Sequence, residues 1–235
     1  MSSFTENIIL SNRNYIVVGL SKQGKYKEEN QDSFKFYHDE NCIIGVVADG
    51  LGSALKSAQG SALACRVAID ELKGKNDYEG ISTNILHNWL SKISGKPLAF
   101  DTTLRFVKIT KDSIILGGVG DGWTVGFIDD HFISIEAKNK FANQTNSLMS
   151  YEISKYFFVK QIPFKSECII SISTDGFSEE INKTVSKDFM KTISKEMQEN
   201  SEQFICNMEE TLNNWPIESN HDDKTAIFIQ RRRTK

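Results

Sequence analysis

The positions of apolar residues along the chain predict strands and helices that come in separate blocks. Residues 15–19 and 42–48 are short, nearly continuous apolar runs, and Phe34 and Phe36 alternate with polar residues between them. Short apolar runs and alternation with a period of two are typical of strands. The chain therefore begins with three predicted strands that precede any helix.

After residue 50 the spacing of apolar residues changes to three and four positions, which predicts helices with one apolar face. The first face consists of Leu55, Ala58, Ala62, Cys65, Ile69 and Leu72. The second face consists of Tyr78, Ile85, Trp89 and Ile93. Ser53 is the expected N-cap of the first helix, and Gly74 is its expected end.

Strand patterns return between residues 101 and 136, where turn residues separate four short apolar segments. The segments are 102–109, 113–119, 123–128 and 132–135. Their close succession predicts an antiparallel meander. The polar stretch that follows, residues 137–149, has no clear period and predicts an exposed loop or lid.

The last part of the chain repeats the same two patterns. Strands are predicted near Tyr156 and at residues 168–173, and residues 224–230 close the chain as a further strand. Two helices lie between them, and Ser201 is the expected N-cap of the second. Their apolar faces are Val185, Phe189, Ile193 and Met197 in the first helix, and Phe204, Met208 and Leu212 in the second.

Strands and helices in blocks favour antiparallel sheets covered by helices, an α+β fold, over a repeating βαβ pattern. The chain has 235 residues, of which 39% are hydrophobic and 25% charged. This composition is typical of globular proteins, and we expect one domain spanning residues 1–235. The net charge of −3 and the pI near 5.9 argue against nucleic acid or an anionic membrane as a general partner.

The four cysteines are widely separated and lack the Cys-x-x-Cys or Cys/His spacing of a zinc site. We interpret them as buried free thiols in a reducing compartment. Residues 1–13 lack the apolar stretch of a signal peptide, and no window approaches the roughly 18 apolar residues of a membrane span. A soluble, cytoplasmic protein is expected, with the arginines at 231–233 as a solvated tail.

Two aspartates, Asp49 and Asp175, each follow an apolar run and precede a glycine. Carboxylates at the ends of buried strands concentrate negative charge, which is costly unless a hard metal ion compensates it. Asp32, Asp121 and Asp222 stand in comparable settings. Each Asp-Gly pair alone is also a favoured turn, but the joint pattern of separate acidic segments predicts a metal site.

The order of these motifs resembles the metal-dependent PPM-type (protein phosphatase 2C) serine/threonine phosphatases, in their compact bacterial form. The resemblance spans most of the chain. The motifs are Lys27-x-x-Asn30-Gln31-Asp32, Ala48-Asp49-Gly50-Leu51-Gly52-Ser53, Thr102-Thr103, Gly120-Asp121-Gly122, Thr174-Asp175-Gly176 and Asp222-Asp223-Lys224-Thr225.

The resemblance implies a four-layer α-β-β-α sandwich, in which two antiparallel sheets pack face to face and helix pairs lie outside. It also implies two Mn²⁺ or Mg²⁺ ions and the option of a third. In that arrangement Asp49 bridges both ions, Asp175 and Asp222 hold the first, and the Gly50 carbonyl binds the second together with water held by Asp32. Asp121 corresponds, with Asp175, to the third position.

The activity that the resemblance implies is hydrolysis of phosphoserine and phosphothreonine by a hydroxide that bridges the two metal ions. The catalytic residues would be Asp49, Asp175 and Lys27. The implied partner is a phosphorylated protein, the target of a serine/threonine kinase, in a signalling role. A monomer is our default expectation.

The sequence departs from the family pattern at three positions. Lys27 replaces an arginine that grips the substrate phosphate, so the charge remains but the two-pronged hydrogen bonding is lost. Gln31 replaces a glutamate. Leu51 occupies the place of a histidine proposed as general acid in eukaryotic members, so a metal-bound water would have to donate the proton. An alternative for Lys27 is a solvated lysine near Lys22 and Lys25.

These departures leave open a second class of function, a phosphatase-like module that binds a phosphoprotein without turnover. A third class, an aspartyl-phosphate phosphotransferase, needs an Asp-x-Asp motif after an apolar run, and the sequence has none. We choose Asp222 over Asp223 as the ligand, with Asp223 as the outer member of the pair. Thr102 and Thr103 are interpreted as the start of a strand, and His221 as a polar loop residue.

Overall fold

A computed structural model of the chain describes residues 5–11, 14–75, 77–136, 145–179, 181–215 and 221–231. Eleven strands in these ranges form two sheets, and all neighbouring strands are antiparallel. The strands are β1 (Thr5–Ser11), β2 (Tyr15–Lys22), β3 (Asp32–His38), β4 (Ile43–Asp49), β5 (Leu104–Ile109), β6 (Ser113–Val119), β7 (Trp123–Ile128), β8 (His131–Ile135), β9 (Phe158–Pro163), β10 (Cys168–Ser173) and β11 (Lys224–Arg231).

The first sheet has the strand order β3-β4-β5-β6-β9, and the second has the order β1-β2-β11-β10-β7-β8. Five α-helices in the described ranges accompany them. The helices are α1 (Ser57–Leu72), α2 (Ile81–Ser91), α3 (Asp175–Ser178), α4 (Ser186–Glu199) and α5 (Ser201–Asn213). A short 3₁₀ helix at Pro97–Phe100 precedes β5.

Three apolar cores hold the layers together. Val107 and Ile227 belong to the core between the two sheets. Trp89 of α2 is fully buried in the core between the first sheet and helices α1 and α2. Phe204 of α5 packs edge-on against Phe228 of β11, at 5.6 Å between ring centroids, in the core outside the second sheet. The layer order helix, sheet, sheet, helix confirms the α-β-β-α sandwich.

The central strands are buried on both faces because each sheet is covered by helices outside and by the other sheet inside. All six residues of β10, and all residues of β4 except its last, are buried. This two-sided burial explains why these strands read as continuous apolar runs in the sequence rather than as alternating patterns.

The predicted meander is wrong as a single sheet. Strands β5 and β6 pair in the first sheet, whereas β7 and β8 pair in the second. The chain therefore crosses between the sheets at residues 120–122. Local apolar patterns cannot distinguish a turn within a sheet from a crossing between two packed sheets, because both join strands with the same short polar segment.

The predicted start of the first helix is also wrong. Helix α1 begins at Ser57, and Leu55 lies outside it with 91% of its surface exposed. Backbone hydrogen bonds hold the preceding loop against the 97–101 segment, from Leu51 N to the Asp101 carbonyl and from Lys56 N to the Ala99 carbonyl. Lys56 is the N-cap residue and makes no side-chain cap, so Ser53 has no capping role.

The two helices predicted for the last part of the chain form as α4 and α5, with corrections at their starts. Val185 is 50% exposed, and the buried face of α4 contains Met190, Ile193 and Met197. Val185 ends a 3₁₀ turn, Lys183–Val185, and is the N-cap residue of α4, so it lies before the helix and is not part of its buried face. The N-cap of α5 is Asn200, whose side chain accepts hydrogen bonds from the backbone N–H groups of Glu202 and Gln203.

Three further expectations are corrected or incomplete. Strand β1 was not predicted, and it forms an edge of the second sheet. Cys206 is exposed, whereas the other three cysteines are buried free thiols. Of the expected lid, residues 137–144 lie outside the described ranges, and Ser147 and Leu148 at its end are buried rather than exposed. Residues 232–233 of the tail also lie outside those ranges.

None of the helices in the described ranges combines the length and the apolar composition that crossing a membrane requires.

Candidate metal centre

One end of the sandwich collects the acidic residues of the sequence motifs. Asp49 ends β4 and lies opposite Asp32, the first residue of β3, in the register of these two strands. Asp175 follows the end of β10, and Asp222 precedes the start of its antiparallel neighbour β11, so both lie at one edge of the second sheet. The hydroxyl of Thr174 donates to Asp32 Oδ2 at 2.8 Å and joins the two sheets at this edge.

The crossing between the sheets places Asp121 at the same edge. Residues 120–122 connect the end of β6 in the first sheet with the start of β7 in the second. Gly120 has a φ of +107°, and a Cβ at this position would lie 2.5 Å from the Cβ of Thr103. Only glycine fits this turn without strain, and the following residue is thereby held between the two sheets.

Asp49, Asp121 and Asp175 form the centre of the acidic cluster. Each offers one carboxylate oxygen, and these oxygens all lie within 4.8 Å of one another. Three negative charges at such separations repel strongly in a partly buried site. The arrangement is therefore suited to a compensating cation.

Burial and the neighbouring negative charges raise the pKa values of Asp49, Asp175 and Asp32. Burial, followed by the charges of Asp32 and Asp175, raises the pKa of Asp49 well above the ordinary value for aspartate. Burial, followed by the charge of Asp121, raises the pKa of Asp175 to about 6. Burial, followed by the charge of Asp223, raises the pKa of Asp32 to about 7. In each case the protein environment disfavours the charged form.

Two buried carboxylate oxygens point to what the cluster binds. Asp32 Oδ1 and Asp121 Oδ1 are buried and have no hydrogen-bond partner in the part of the chain that the structure describes. The second oxygen of Asp121 accepts a hydrogen bond from Thr145. Unpartnered carboxylate oxygens at a buried site are costly, and a hard divalent cation coordinated by oxygen removes that cost. The residues present therefore fit Mg²⁺ or Mn²⁺.

Lys27 lies beside Asp222 and is neither free nor fully solvated. Its ammonium forms an ion pair with Asp222 and lies 3.4 Å from Asp223 Oδ2. Burial opposes the charge of Lys27, but the hydrogen bond to Asp222 and the charges of Asp223 and Asp49 together raise its pKa. The lysine is therefore a fixed cation at the edge of the cluster.

Asp223 is buried, not the outer member of the pair. It is 1% exposed, whereas the side chain of Asp222 is 44% exposed. Asp223 accepts hydrogen bonds from the backbone N–H groups of Gly24 at 2.7 Å and Gln31 at 2.8 Å. These bonds attach the loop that carries Lys27 to the start of β11. The charge of Asp222 helps to raise the pKa values of Asp49 and Asp175, so Asp222 lies near the cluster, but it is not among the three aspartates whose oxygens lie within 4.8 Å of one another.

The other two departures from the family pattern also have defined surroundings. The Gln31 side chain donates to Ser57 Oγ at 2.8 Å and accepts from Lys27 Nζ at 3.2 Å, so it links the lysine to the start of α1. Leu51 is half-buried. His221 packs edge-on against Tyr26, at 5.1 Å between ring centroids.

Thr102 and Thr103 were predicted to begin a strand, but they precede β5, which starts at Leu104, and they contact Asp49 instead. Thr102 Oγ1 donates to the Asp49 carbonyl at 2.8 Å, and Thr103 Oγ1 accepts from the Asp49 backbone N–H at 3.0 Å. The Thr103 N–H also donates to the Asp49 carbonyl at 2.8 Å. Gly50 adjoins this clamp, and a Cβ on it would lie 2.7 Å from the Cβ of Ser57. The two threonines therefore fix the backbone of the central aspartate.

One further residue at this edge, Arg105, was not predicted from the sequence. It lies between the sheets with 2% exposure, and its guanidinium donates to the Gly120 carbonyl at 2.9 Å. Its Nε is buried without an acceptor among the described residues. Burial lowers the pKa of Arg105 to about 10, and the charge of Asp121 opposes that change. Arg105 thus holds the crossing turn and places a positive charge behind the cluster.

Comparison with known proteins identifies a matching family and solved structures with a similar fold. The family model described as protein phosphatase 2C matches residues 22–215. No curated protein matches the sequence at a significant level. Solved structures match the fold at identities too low to show more than that.

One similar structure is RsbX in complex with magnesium, with a TM-score of 0.67 and 17% identity over 96% of this chain and 100% of that one. A second is the catalytic domain of the serine threonine protein phosphatase PstP in complex with 2 manganese ions, with a TM-score of 0.62 and 15% identity over 93% of this chain and 99% of that one. A third is the phosphatase domain of SpoIIE from Bacillus subtilis, with a TM-score of 0.57 and 16% identity over 96% of each chain.

The family match covers most of the chain, and the sandwich with its acidic edge agrees with it. The chain belongs to the protein phosphatase 2C family.

Proposed function

We propose that this protein is a metal-dependent phosphatase that hydrolyses phosphoserine and phosphothreonine in a protein substrate. The observation that carries the proposal is the cluster of Asp49, Asp121 and Asp175, whose carboxylate oxygens lie within 4.8 Å of one another at one edge of the sandwich. A cluster of this kind, next to buried carboxylates with raised pKa values, has few purely structural uses.

The proposed metal ligands are the residues that the resemblance assigned. Asp49 would serve two ions, Asp175 and Asp222 would hold the first, the Gly50 carbonyl and Asp32 would serve the second, and Asp121 would belong to a third position. The magnesium of RsbX and the two manganese ions of PstP support Mg²⁺ or Mn²⁺ as the metal. When bound, such ions activate water for attack on phosphorus and neutralise the charge of the phosphate.

The chain's own residues position this chemistry. Thr102 and Thr103 hold the backbone of Asp49 on both sides, and Thr174 holds one oxygen of Asp32. Lys27 provides a cation at the rim for the substrate phosphate, as a point charge rather than as the two-pronged donor of an arginine. Leu51 supplies no proton donor, so we expect activated aryl phosphates, whose leaving groups need no protonation, to be hydrolysed faster than alkyl phosphates.

One observation supports a second candidate, a module that binds a phosphoprotein without turnover. Lys27 is paired with Asp222, a proposed ligand of the first ion. If that pair persisted, the ammonium would compete with a metal ion for the carboxylate. This candidate predicts a folded protein that binds phosphoprotein but releases no phosphate.

The deciding experiment is hydrolysis of a phosphothreonine peptide by the purified protein with Mn²⁺, with Mg²⁺ and with chelator. The Asp175→Asn variant is measured in parallel. Phosphate release that needs metal and is lost in the variant supports the phosphatase. No release with either metal, from folded protein that binds the peptide, would reject the phosphatase in favour of the binding module.

A further inference from the structure

Two leucines that lie a few residues along the chain from Gly50 and Thr102 are exposed to solvent. Leu55 is 91% exposed and Leu98 is 67% exposed. Leu55 lies in the loop before α1 and Leu98 in the 3₁₀ turn Pro97–Phe100, and the hydrogen bond from Lys56 N to the Ala99 carbonyl, at 2.7 Å, joins the two segments one residue further along. Neither leucine belongs to an apolar core of the described structure, so both side chains are accessible to a partner.

A cationic groove begins at Lys56, the residue after Leu55, although neither exposed leucine is part of its lining. It has a volume of about 360 Å³ and is bounded by α1, the residues after α2 and the turn that leads into β5. Lys56, Arg66 and Lys92 line it, and no acidic side chain is among the described residues of its lining. The Lys56 ammonium lies 5.2 Å from the centroid of the Phe100 ring at its base. The groove is thus positive in a chain whose net charge is −3.

Both loops start from the metal centre itself. The loop with Leu55 follows directly from Asp49 and Gly50, and the segment with Leu98 runs into the two threonines that clamp Asp49. Leu55 is thus five residues from Gly50 and Leu98 four residues from Thr102, so a segment of a polypeptide bound at the acidic cluster can reach them. The position of this surface favours binding of the substrate segment that flanks the phosphorylated residue, rather than binding of a partner that does not reach the metal centre.

We propose that Leu55, Leu98, Lys56, Arg66 and Lys92 form a docking surface for an acidic segment with an apolar side chain, next to the phosphorylated residue of the protein substrate. The inference rests on the proposed phosphatase function and specifies its substrate class. Charge complementarity selects an acidic segment, and the leucines provide an apolar contact for an anchor residue. Selectivity for substrate would thus lie beside the metal centre on the α1 side.

The test compares two phosphothreonine peptides of equal length, one with glutamate and leucine on both sides of the phosphothreonine and one with lysine and serine in their place. p-Nitrophenyl phosphate serves as a substrate too small to reach the surface. The docking variants are Leu55→Ser with Leu98→Ser, and Lys56→Glu with Lys92→Glu. Matched controls on another helix layer are Val185→Ser, which is 50% exposed, and Lys191→Glu with Lys195→Glu on α4.

We expect the wild type to prefer the acidic, apolar peptide, and both docking variants to raise the KM for that peptide about tenfold, the equivalent of about 1.4 kcal/mol. The kcat, the hydrolysis of p-nitrophenyl phosphate and the behaviour of the controls should not change. Equal KM values for the two peptides in the wild type, or docking variants that match the controls, would overturn the proposal.

A binding measurement separates this inference from the proposed function. Fluorescence anisotropy with the Asp175→Asn protein reports peptide binding without turnover, so it decides docking even if no substrate is hydrolysed. Preferred binding of the acidic, apolar peptide that is lost in Leu55→Ser with Leu98→Ser supports the surface. Sedimentation with phosphatidylserine vesicles that depends on the same residues, without peptide preference, would replace the protein segment by a lipid surface and overturn the proposal.

Discussion

Within the described part of the chain, buried charged groups are hydrogen-bonded at one end of the sandwich and lack some hydrogen-bond partners at the other. At the end remote from the acidic cluster, Lys108 of β5 is 2% exposed, and its ammonium donates to the Leu72 carbonyl at 2.8 Å and to the Lys75 carbonyl at 2.7 Å. These carbonyls lie at the C-terminus of α1, where a cation is favourable. At the other end, Asp32 and Asp121 each retain a buried oxygen without a partner among the described residues.

The difference teaches that partners, rather than burial, distinguish a structural charge from a functional one. Lys108 caps the end of a helix, and burial lowers its pKa without leaving it unsatisfied. Threonines hold the backbone of Asp49 and one oxygen of Asp32, yet burial and neighbouring carboxylates keep the pKa of Asp49 raised although Lys27 and Arg105 place positive charge near the cluster. The structure thus maintains a charge imbalance at one end only, and a metal ion is the simplest group that removes it.

The largest expected effect comes from removing charge at the centre of the cluster. Asp49→Asn preserves the shape of the side chain but not its charge, and we expect phosphatase activity to fall by about 10³-fold or more, since metal ions contribute several kcal/mol to such reactions. Phosphate release from a phosphothreonine peptide measures the effect, with circular dichroism as the check on folding. Asp70→Asn, an exposed carboxylate on α1, is the matched control. Comparable losses in both variants would contradict the account.

The uncompensated charge should also appear in the stability of the metal-free protein. The pKa values of about 7 for Asp32 and about 6 for Asp175 lie above the ordinary value of 3.8, so the folded state binds these protons more tightly than the unfolded state. The free energy of unfolding should therefore rise as the pH falls from about 8 to about 5, by on the order of 2 kcal/mol.

Urea unfolding in the presence of a chelator, at several pH values across this window, measures that change. The Asp175→Asn variant should be more stable than the wild type at pH 8 and should show a smaller pH dependence, because it lacks one of the groups with a raised pKa. A stability that falls with decreasing pH over the same range, equally in both proteins, would contradict the charge imbalance.

At the end that contains Lys108, a substitution should lower the stability of the protein and leave its activity unchanged. Lys108→Met leaves the carbonyls of Leu72 and Lys75 without their donor, and we expect a loss of about 2 kcal/mol in the free energy of unfolding. The kcat per folded molecule should not change, since this end does not contact the acidic cluster. Urea unfolding and peptide hydrolysis measured on the same preparation test both statements. A fall in kcat with unchanged stability would contradict the structural role of Lys108.

The smallest expected effect concerns the clamp on Asp49. Thr103→Val removes the acceptor of the Asp49 N–H without changing the volume of the side chain, which should cost about 1 kcal/mol of stability. A several-fold fall in kcat should accompany it, because the central carboxylate is held less firmly. Thr211→Val, which removes a hydroxyl that donates to a carbonyl on the exposed face of α5, is the control. Equal kcat values in the two variants would leave the clamp without a functional role.

The order of layers could be predicted from the sequence because strands that are buried on both faces consist almost entirely of apolar residues. Continuous apolar runs marked β4 and β10, and residues at helical spacing marked α1, α2, α4 and α5. The crossing at residues 120–122 could not be predicted, because its turn residues are those of an ordinary hairpin. As a result, the sequence indicated Asp121 as acidic and near a turn but not its place between the sheets.

The acidic members of the site were also accessible from the sequence, whereas their supports were not. Asp49 and Asp175 directly follow apolar runs, so the local sequence identifies them as candidate site residues. Thr102 and Thr103 read as strand residues, since their contacts to Asp49 depend on the register of the sheet. Arg105 stands within an apolar strand, and only the packing of the two sheets reveals that its guanidinium reaches the carbonyl of Gly120.

The pairing of Lys27 with Asp222 was hidden for a related reason. The two residues are far apart in the sequence, and the loop that joins them in space is attached by the buried Asp223. Adjacent aspartates give no local signal for which of them is buried. The motif favoured Asp222 for the cluster, but the burial of Asp223 follows only from the fold.

Titration of Mn²⁺ into chelator-treated protein, followed by calorimetry, tests the metal centre independently of turnover. The wild type and the Lys108→Met variant should bind Mn²⁺ alike, and the Asp49→Asn variant should bind it at least about tenfold more weakly, a loss of about 1.4 kcal/mol or more. Equal binding by all three proteins, or no binding by folded wild type, would contradict the assignment of the acidic edge as a metal centre.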